Sequence, residues 1–227
     1  MFVKSIPLRS RALLLLPMLW TQSAQAHGIA GNRYFAGTMT FDDPAVADEL
    51  ILPNFNYLGY PAQGSDAVEN RINASFARLL TPTLAFTIDS AWVHQTWPTG
   101  RTSGFDKTSI GLKYEAYRDN RHEALISIGL AWGIGHSGSV AIGADAPDTI
   151  QPGIFFGKGF GDLPDSLAWL RPFAVTAAVV DEVPIGTGGM ALAPNLVTGG
   201  FNTVPSPAVE TLHWGFSIQY STLYLTS

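Results

Sequence analysis

The stretch Thr211–Leu225 reads TLHWGFSIQYSTLYL and alternates between two kinds of side chain. One side of the alternation carries Leu212, Trp214, Phe216, Ile218, Tyr220 and Tyr224, and the other carries Thr211, His213, Gly215, Ser217, Gln219 and Ser221. A period of two over this length predicts a β-strand with two different faces. The apolar face is longer and more aromatic than an ordinary strand requires, so the surroundings of that face decide the fold.

The same period recurs through most of the preceding chain. The segments that show it are Val68–Arg78, Thr83–Gln95, Lys107–Tyr117, Ala124–Gly135, Thr149–Phe160 and Arg171–Asp181. In the fourth segment Ile128, Leu130 and Trp132 share one face, with Gly129 and Ala131 between them. The small residues predicted for the face opposite the large apolar side chains also include Gly133, Gly153, Gly157 and Gly159. Such small residues would make a poor core for a soluble barrel, but they suit a narrow lumen.

The lengths of the connections also alternate. Leu79–Pro82 and Asp119–Arg121 are short, whereas Thr96–Gly104, His136–Asp148 and Glu182–Pro207 are longer. Leu50–Tyr60 can supply an eighth strand, although Pro53 lacks a backbone donor and suits only an edge or a strand start. Strands of about ten residues with tight turns at one end and long loops at the other are the layout of outer-membrane barrels.

The N-terminus predicts export. Lys4, Arg9 and Arg11 precede the apolar run Ala12–Trp20, and Ala24-Gln25-Ala26 follows as a small-x-small cleavage signal. The expected organisation is a signal peptide over 1–26, a periplasmic N-terminal segment over 27–49 and a barrel over 50–227. No run of consecutive apolar residues after the signal is long enough for a membrane helix. A mature chain embedded in a membrane would therefore cross it with strands.

Charge and cysteine content exclude several classes of protein. Removing three basic residues with the signal leaves ten against eighteen acidic ones, a net charge of about −8 that argues against nucleic acid as a partner. The chain has no cysteine, which excludes both a disulfide-stapled scaffold and thiolate chemistry.

In lipid, every backbone amide must pair within a closed sheet whose outward side chains are apolar. Trp214, Tyr220 and Tyr224 suit the aromatic girdles at the two interfaces. The expected fold is therefore all-β: an antiparallel up-and-down transmembrane β-barrel of about eight strands, or ten to twelve if the sequence lacks C-terminal residues. The alternative is a soluble periplasmic β-barrel that binds a ligand, with the same apolar residues buried in its core.

The residues 68–225, together with the export signal, resemble a bacterial outer-membrane β-barrel as a class. The stretch HGIAGNRYFAGTMTFDDPAVADEL is similar to the start of proteobacterial exported proteins described as outer-membrane transporters. The chain departs from the class at its end, LYLTS, where a terminal Phe or Tyr is usual and Tyr224 lies three residues earlier. The resemblance implies outer-membrane location, with lipid and the barrel assembly machinery as partners. It also implies transport or binding of a small, apolar molecule, or a structural surface role.

No catalytic residue and no organic cofactor is expected. GIGHSG, residues 133–138, matches G-x-G-x-x-G, but SVAIGADAPDT after it shows no helical face, so we interpret it as a strand end entering a loop. His213 and Ser217 share a face but lie about 13 Å apart along one strand. This spacing is too long for a hydrogen bond between them.

Two sites for metal ions come from the residues that follow the signal. The stretch FDDPAVADEL contains Asp42, Asp43, Asp48 and Glu49, which could hold calcium although the EF-hand spacing is absent. The favoured interpretation is a short periplasmic helix that is capped by Asp43 and has Pro44 in its first turn. Cleavage after Ala26 would make His27 the N-terminal residue, whose amine and imidazole can chelate one copper ion. A second ligand would come from His94, His122, His136 or His213.

Overall fold

The computed structural model describes residues 28–37, 42–62, 65–195 and 197–221. These residues form thirteen β-strands and two short 3₁₀ helices. The strands are β1 Gly28–Ala30, β2 Arg33–Phe35, β3 Glu49–Ala62, β4 Ser65–Thr81, β5 Leu84–Trp97, β6 Gly100–Phe105, β7 Ser109–Asp119, β8 Ala124–Gly133, β9 Asp148–Gly159, β10 Phe173–Ile185, β11 Gly189–Pro194, β12 Phe201–Ser206 and β13 Thr211–Tyr220. The helices are η1 Val140–Ile142 and η2 Asp165–Leu170. Neither helical segment in this part of the chain has the length and apolarity to cross a membrane.

Eight of the strands form one curled sheet in the order β3-β4-β5-β7-β8-β9-β10-β13, and every pair is antiparallel. The short strand β6 pairs with the second half of β5 and continues the line of β7. The small hairpins β1-β2 and β11-β12 lie outside this sheet. The all-β, antiparallel, eight-stranded fold class expected from the alternation is confirmed.

The strand that contains Pro53 is one edge of this sheet. Its pairing with β4 shifts register between Ile51 and Asn54, at the proline. Because proline cannot donate to a ladder, it is tolerated at a bulge in an edge strand. The sequence prediction that Leu50–Tyr60 pairs with Val68–Arg78 is therefore confirmed.

The two longest connections, 134–147 and 186–210, lie at one end of the sheet, which we call the long-loop end, and we call the opposite end the short-loop end. At the short-loop end lie the connections 82–83, 120–123 and 160–172, and at the long-loop end lie 98–99, 134–147 and 186–210. Strand β3 starts at the short-loop end and β13 returns to it. The prediction of a loop over Thr96–Gly104 was wrong, because β5 continues to Trp97 and β6 begins at Gly100. The Thr and Gly residues of this stretch are typical of loops, but here they form a tight hairpin.

The longest connection, 186–210, contains a β-hairpin. Strands β11 and β12 pair from Gly189↔Ser206 to Pro194↔Phe201. A Cβ at Gly100 would lie 3.2 Å from the Phe201 ring, so this hairpin reaches across to the β5-β6 turn. The carboxylate of Asp145 accepts a hydrogen bond from the Met190 N–H at 2.8 Å. The connection 134–147 is thereby tied to the hairpin at the long-loop end.

The two faces of the sheet carry different side chains. Ile128, Leu130 and Trp132 project from the convex face and are exposed, as the alternation predicts. The concave face carries Gly129 and Ala131 from the same strand, together with buried polar residues such as Lys113 and Ser127. The convex face also holds Ile154, Val179, Trp214, Phe216 and Ile218, all exposed. Large apolar groups thus lie outside and small or polar groups inside.

Candidate functional site

The concave face of the sheet encloses a cavity of about 880 Å³. Many of its lining residues are small, among them Ala77, Ala85, Ala131, Gly111 and Gly153, and Leu112, Leu130, Leu212 and Trp214 also border it. Phe155 and Val180 add apolar surface, while Ser75, Thr87, Asp89, Gln151 and His213 add polar groups. The size lies within the usual range for pockets that bind small ligands. We take this cavity as the candidate functional site.

Residues 42–49 form the floor of the cavity, where Asp42, Ala45, Val46, Ala47 and Glu49 line it. Together with β1 and β2 they fill the concave side at the short-loop end. We call the described residues 28–37 and 42–48 the N-terminal plug. The sequence predicted a periplasmic N-terminal segment over 27–49; the structure packs its described residues against the concave face.

The outer part of the N-terminal plug is fixed by Arg33, whose side chain is 2% exposed. Its Nε lies 3.1 Å from Oε2 of Glu123, and its Nη1 and Nη2 donate to the carbonyls of Pro172 and Arg171 at 3.0 and 2.6 Å. At Gly159 a Cβ would stand 2.1 Å from the Glu123 carboxylate and 2.6 Å from Arg33 Nε. Glycine at this position therefore leaves room for a buried ion pair.

The middle of the N-terminal plug packs on a second glycine. The side chains of Phe35 and Pro44 lie about 3 Å from where a Cβ at Gly157 would be, which explains why β9 has a glycine there. The hydroxyl of Ser127 donates to the Pro44 carbonyl, and the amide of Gln219 donates to the Ala36 carbonyl at 2.9 Å. Side chains of β8 and β13, and the space left by a glycine of β9, thus hold the plug against the sheet.

The innermost anchor of the plug is Lys113 on β7. Its ammonium group lies 2.7 Å from the Asp42 carboxylate, donates to the Asp43 carbonyl, and stands 4.5 Å from the centre of the Phe155 ring. Asp43 accepts the N–H of Ala45 at 2.8 Å, which is the expected capping bond. The helix expected after it does not form, and residues 44–48 run along the floor of the cavity as irregular chain instead.

The four acidic residues of this stretch divide into two groups. Carboxylate oxygens of Asp42, Asp43 and Glu49 lie within 4.8 Å of one another, next to Lys113. Asp48 lies apart from them, bonded to Arg78 at 3.0 Å and to the N–H of Leu79 at 2.7 Å. The cluster considered for calcium is therefore smaller than the sequence suggested, and a lysine ammonium already neutralises part of it.

Burial raises the pKa of the Asp43 carboxyl to about 7, against the opposing effect of Lys113 and with a further contribution from Asp42. An unfolded Asp ionises near pH 4, so between about pH 4 and 7 the folded state holds a proton that the unfolded state has lost. Stability should therefore fall by about 1.4 kcal/mol per pH unit as the pH rises through this window.

We expect Asp43→Asn to abolish that dependence, since the amide oxygen can still accept from Ala45 without any charge to bury. Urea unfolding between pH 4 and 8 measures the slope for both proteins, and the variant should gain on the wild type toward pH 7. Asp66→Asn replaces an exposed carboxyl by the same amide and serves as the control. A wild-type stability that is flat in this window would contradict the argument.

Near the long-loop end the concave face carries a belt of paired charges. Arg71 lies 3.1 Å from Glu69 and also bonds to Asp106. Lys107 bonds to Glu182 at 2.6 Å and to Thr149 at 3.0 Å. Arg71, Asp106 and Lys107 of this belt line a second, smaller cavity of about 260 Å³, which adjoins the first at Ser75, Asp89 and Ser109.

The histidines considered as copper ligands do not gather at one place in the described residues. Nδ1 of His122 lies 2.7 Å from Asp119, Nδ1 of His136 lies 2.6 Å from Asp145, and Nε2 of His213 lies 3.5 Å from Glu182. His94 lies on β5 opposite Asn70. His27, Tyr224 and the signal residues 1–26 lie outside the described residues. Copper binding by His27 therefore stays a prediction.

The two residues weighed for catalysis, His213 and Ser217, both face the concave side but have different neighbours. His213 pairs across the strands with Val180, whereas Ser217 pairs with Thr176. The GIGHSG stretch leaves β8 at Gly133 and enters the 134–147 connection, as interpreted from the sequence. Within that connection His136 holds the pKa of the Asp145 carboxyl below its usual range.

Comparison of the chain with protein-family models, with curated proteins and with solved structures finds no match. The functional assignment therefore depends on the geometry of the two faces and of the cavity. Sequence reasoning missed Lys113, Arg33 and Glu123. The signal that could have found them is a charged residue on a face otherwise lined by glycine, alanine and serine, because a charge there requires a buried partner.

Proposed function

We propose that the protein is an outer-membrane β-barrel that binds a small molecule in its lumen, and that this binding serves passage across the membrane. The observation that carries the proposal is the distribution of the two faces. Trp214, Phe216 and Ile218 on the convex side are each more than 60% exposed, whereas Arg33, Lys113 and Glu115 are buried on the concave side. Apolar side chains outside and charged side chains inside are stable when lipid surrounds the sheet, and are unfavourable when water does.

The alternative, a soluble periplasmic ligand-binding barrel, would leave this convex surface in water. Contiguous exposed apolar patches on soluble proteins are usually a few hundred Å². Here exposed apolar side chains follow one another across β7, β8, β9, β10 and β13, among them Leu112, Leu130, Ile154, Val179 and Phe216. The concave face is lined by glycine and alanine, so a soluble barrel would bury little apolar area inside while it exposed a large apolar area outside. The membrane location is therefore the better supported of the two.

The lumen geometry favours binding over free diffusion. The N-terminal plug fills the short-loop end and forms the floor of the cavity, so the cavity opens toward the long-loop end. Its small and apolar walls suit a compact apolar molecule, while the charged belt around the adjoining smaller cavity suits a polar group on the same molecule. Passage would require the plug to shift.

Cell fractionation with a heat-modifiability gel tests the proposal. The mature protein should pellet with the outer membrane and should migrate differently before and after boiling, because a lipid-embedded sheet resists detergent until it is heated. Recovery in the soluble periplasmic fraction, with no shift on boiling, would favour the alternative.

The connection 186–210 should lie outside the cell. Its hairpin tip carries Val197, which is 95% exposed. We expect a protease recognition sequence inserted between Thr198 and Gly199 to be cut when protease is added to intact cells. The same sequence inserted between Asn120 and Arg121, at the short-loop end, should be cut only after lysis. Cleavage of the second site alone in intact cells would reverse the proposed orientation, and cleavage of both sites would contradict a membrane that protects the short-loop end.

A further inference from the structure

Within the described residues, the two end strands of the curled sheet each pair with one neighbour. Strand β3 pairs with β4 and β13 pairs with β10, so one edge of each presents unpaired backbone N–H and C=O groups. On the proposed function, on which this inference rests, these edges lie in hydrocarbon. Each unsatisfied backbone group there costs several kcal/mol, so both edges need a partner strand.

The content of the concave face argues against closing β13 onto β3 of the same chain. An eight-stranded barrel has room for side chains or for one small ligand. The concave side here holds the whole N-terminal plug, with Phe35 and Arg33 fully buried, beside a cavity of about 880 Å³. The plug and the cavity together are more than the side chains or single small ligand that such a barrel holds.

Strand direction restricts what can pair with the edges. Strand β3 runs away from the short-loop end, and β13 runs toward it. A second copy in the same orientation can therefore place its β3 antiparallel to β13. Pairing β13 with β13 would be parallel in that orientation, and making it antiparallel would turn one copy upside down in the membrane. The long 186–210 connection would then lie on opposite sides of the two copies.

We propose that two copies of this chain close a sixteen-stranded barrel through two β13–β3 seams. The arrangement has a two-fold axis along the barrel, and each seam repeats the same pair of edges, as a closed symmetric dimer requires. The convex residues Phe216 and Ile218 of one copy then continue the apolar surface formed by Phe55 and Tyr57 of the other. Barrels of sixteen strands enclose an aqueous lumen, which accommodates both N-terminal plugs.

Thiol cross-linking tests the seams, and the chain contains no cysteine that would interfere. Ser217→Cys marks the concave side of β13, and Asn54→Cys or Asn56→Cys marks β3. Each single variant is co-expressed with its counterpart, and isolated membranes are treated with a short bis-maleimide. Thr87→Cys lies on the same face in the middle of the sheet and replaces Ser217→Cys as the control.

A covalent dimer from the co-expressed Ser217→Cys and β3 variants, absent with Thr87→Cys, is the expected result. A chain that carries both cysteines should also give the dimer. If that chain forms only an internally linked monomer, it closes on itself and the inference is overturned. The absence of any link overturns it as well. Because the same membranes are fractionated first, a soluble protein would contradict the proposed function separately.

Discussion

Ile128→Arg should impair assembly of the sheet by about 2 to 4 kcal/mol, because it places a charge at the middle of β8 on the face proposed to contact lipid. Ile128 lies between Ile126 and Leu130 on this face of β8, opposite Ile154 of β9 and Tyr114 of β7. Folding into lipid vesicles, followed by urea titration and by the heat-modifiability gel, measures the loss.

The matched control is Ala131→Arg, which introduces the same side chain on the concave face of the same strand. Ala131 lines the cavity, where an arginine can extend toward Asp89. Gly129→Ser is a weaker control than the alternation suggests, since a Cβ there would lie 3.0 Å from the Phe155 ring. Equal damage from Ile128→Arg and Ala131→Arg would contradict the assignment of the two faces.

Arg33→Met should destabilise the folded protein by about 3 to 5 kcal/mol, which is the usual cost of removing one partner from a buried ion pair. The side chains of Arg33 and Glu123 are 2% and 6% exposed, so methionine of similar length would leave the Glu123 carboxylate buried without its cation. Two backbone carbonyls would also lose their donors. Urea unfolding and limited proteolysis of the N-terminal segment report the change.

Arg78→Met provides the control for this substitution. Arg78 pairs with Asp48 at 3.0 Å, but its side chain is half exposed, and exposed pairs contribute about 1 kcal/mol or less. Gly159→Ala should reproduce the effect of Arg33→Met, because its Cβ would overlap the Glu123 carboxylate. If Arg33→Met is no more harmful than Arg78→Met, the N-terminal plug is not held by this pair.

The alternation of side chains was sufficient to predict the sheet, its antiparallel order and its two faces. Ile128 and Gly129 point as the period of two requires, because the side-chain direction is fixed by the pleat. An even number of antiparallel strands brings the last strand back to the end of the sheet at which the first one starts. This agrees with β3 starting and β13 ending at the short-loop end. These features depend on local chain geometry, which a sequence expresses directly.

The N-terminal plug could not be predicted in the same way. Its position depends on contacts between residues far apart in the chain, such as Arg33 with Glu123 and Asp42 with Lys113. Local rules predicted a helix after Asp43, since aspartate followed by proline commonly starts one. The competing contacts of Pro44 with Ser127 and with the Gly157 position held the chain in an irregular conformation instead.

Tryptophan fluorescence tests most directly whether the convex face contacts lipid. Two variants are compared in vesicles, one retaining only Trp214 of β13 and the other only Trp169 of η2, with phenylalanine at the remaining tryptophans. The two side chains are almost equally exposed, at 71% and 68%, but only Trp214 lies on the sheet. Lipids brominated on their acyl chains should quench Trp214 strongly and Trp169 little, and aqueous acrylamide should do the reverse. Quenching of Trp214 by acrylamide, without an effect of brominated lipid, would contradict the proposed membrane location.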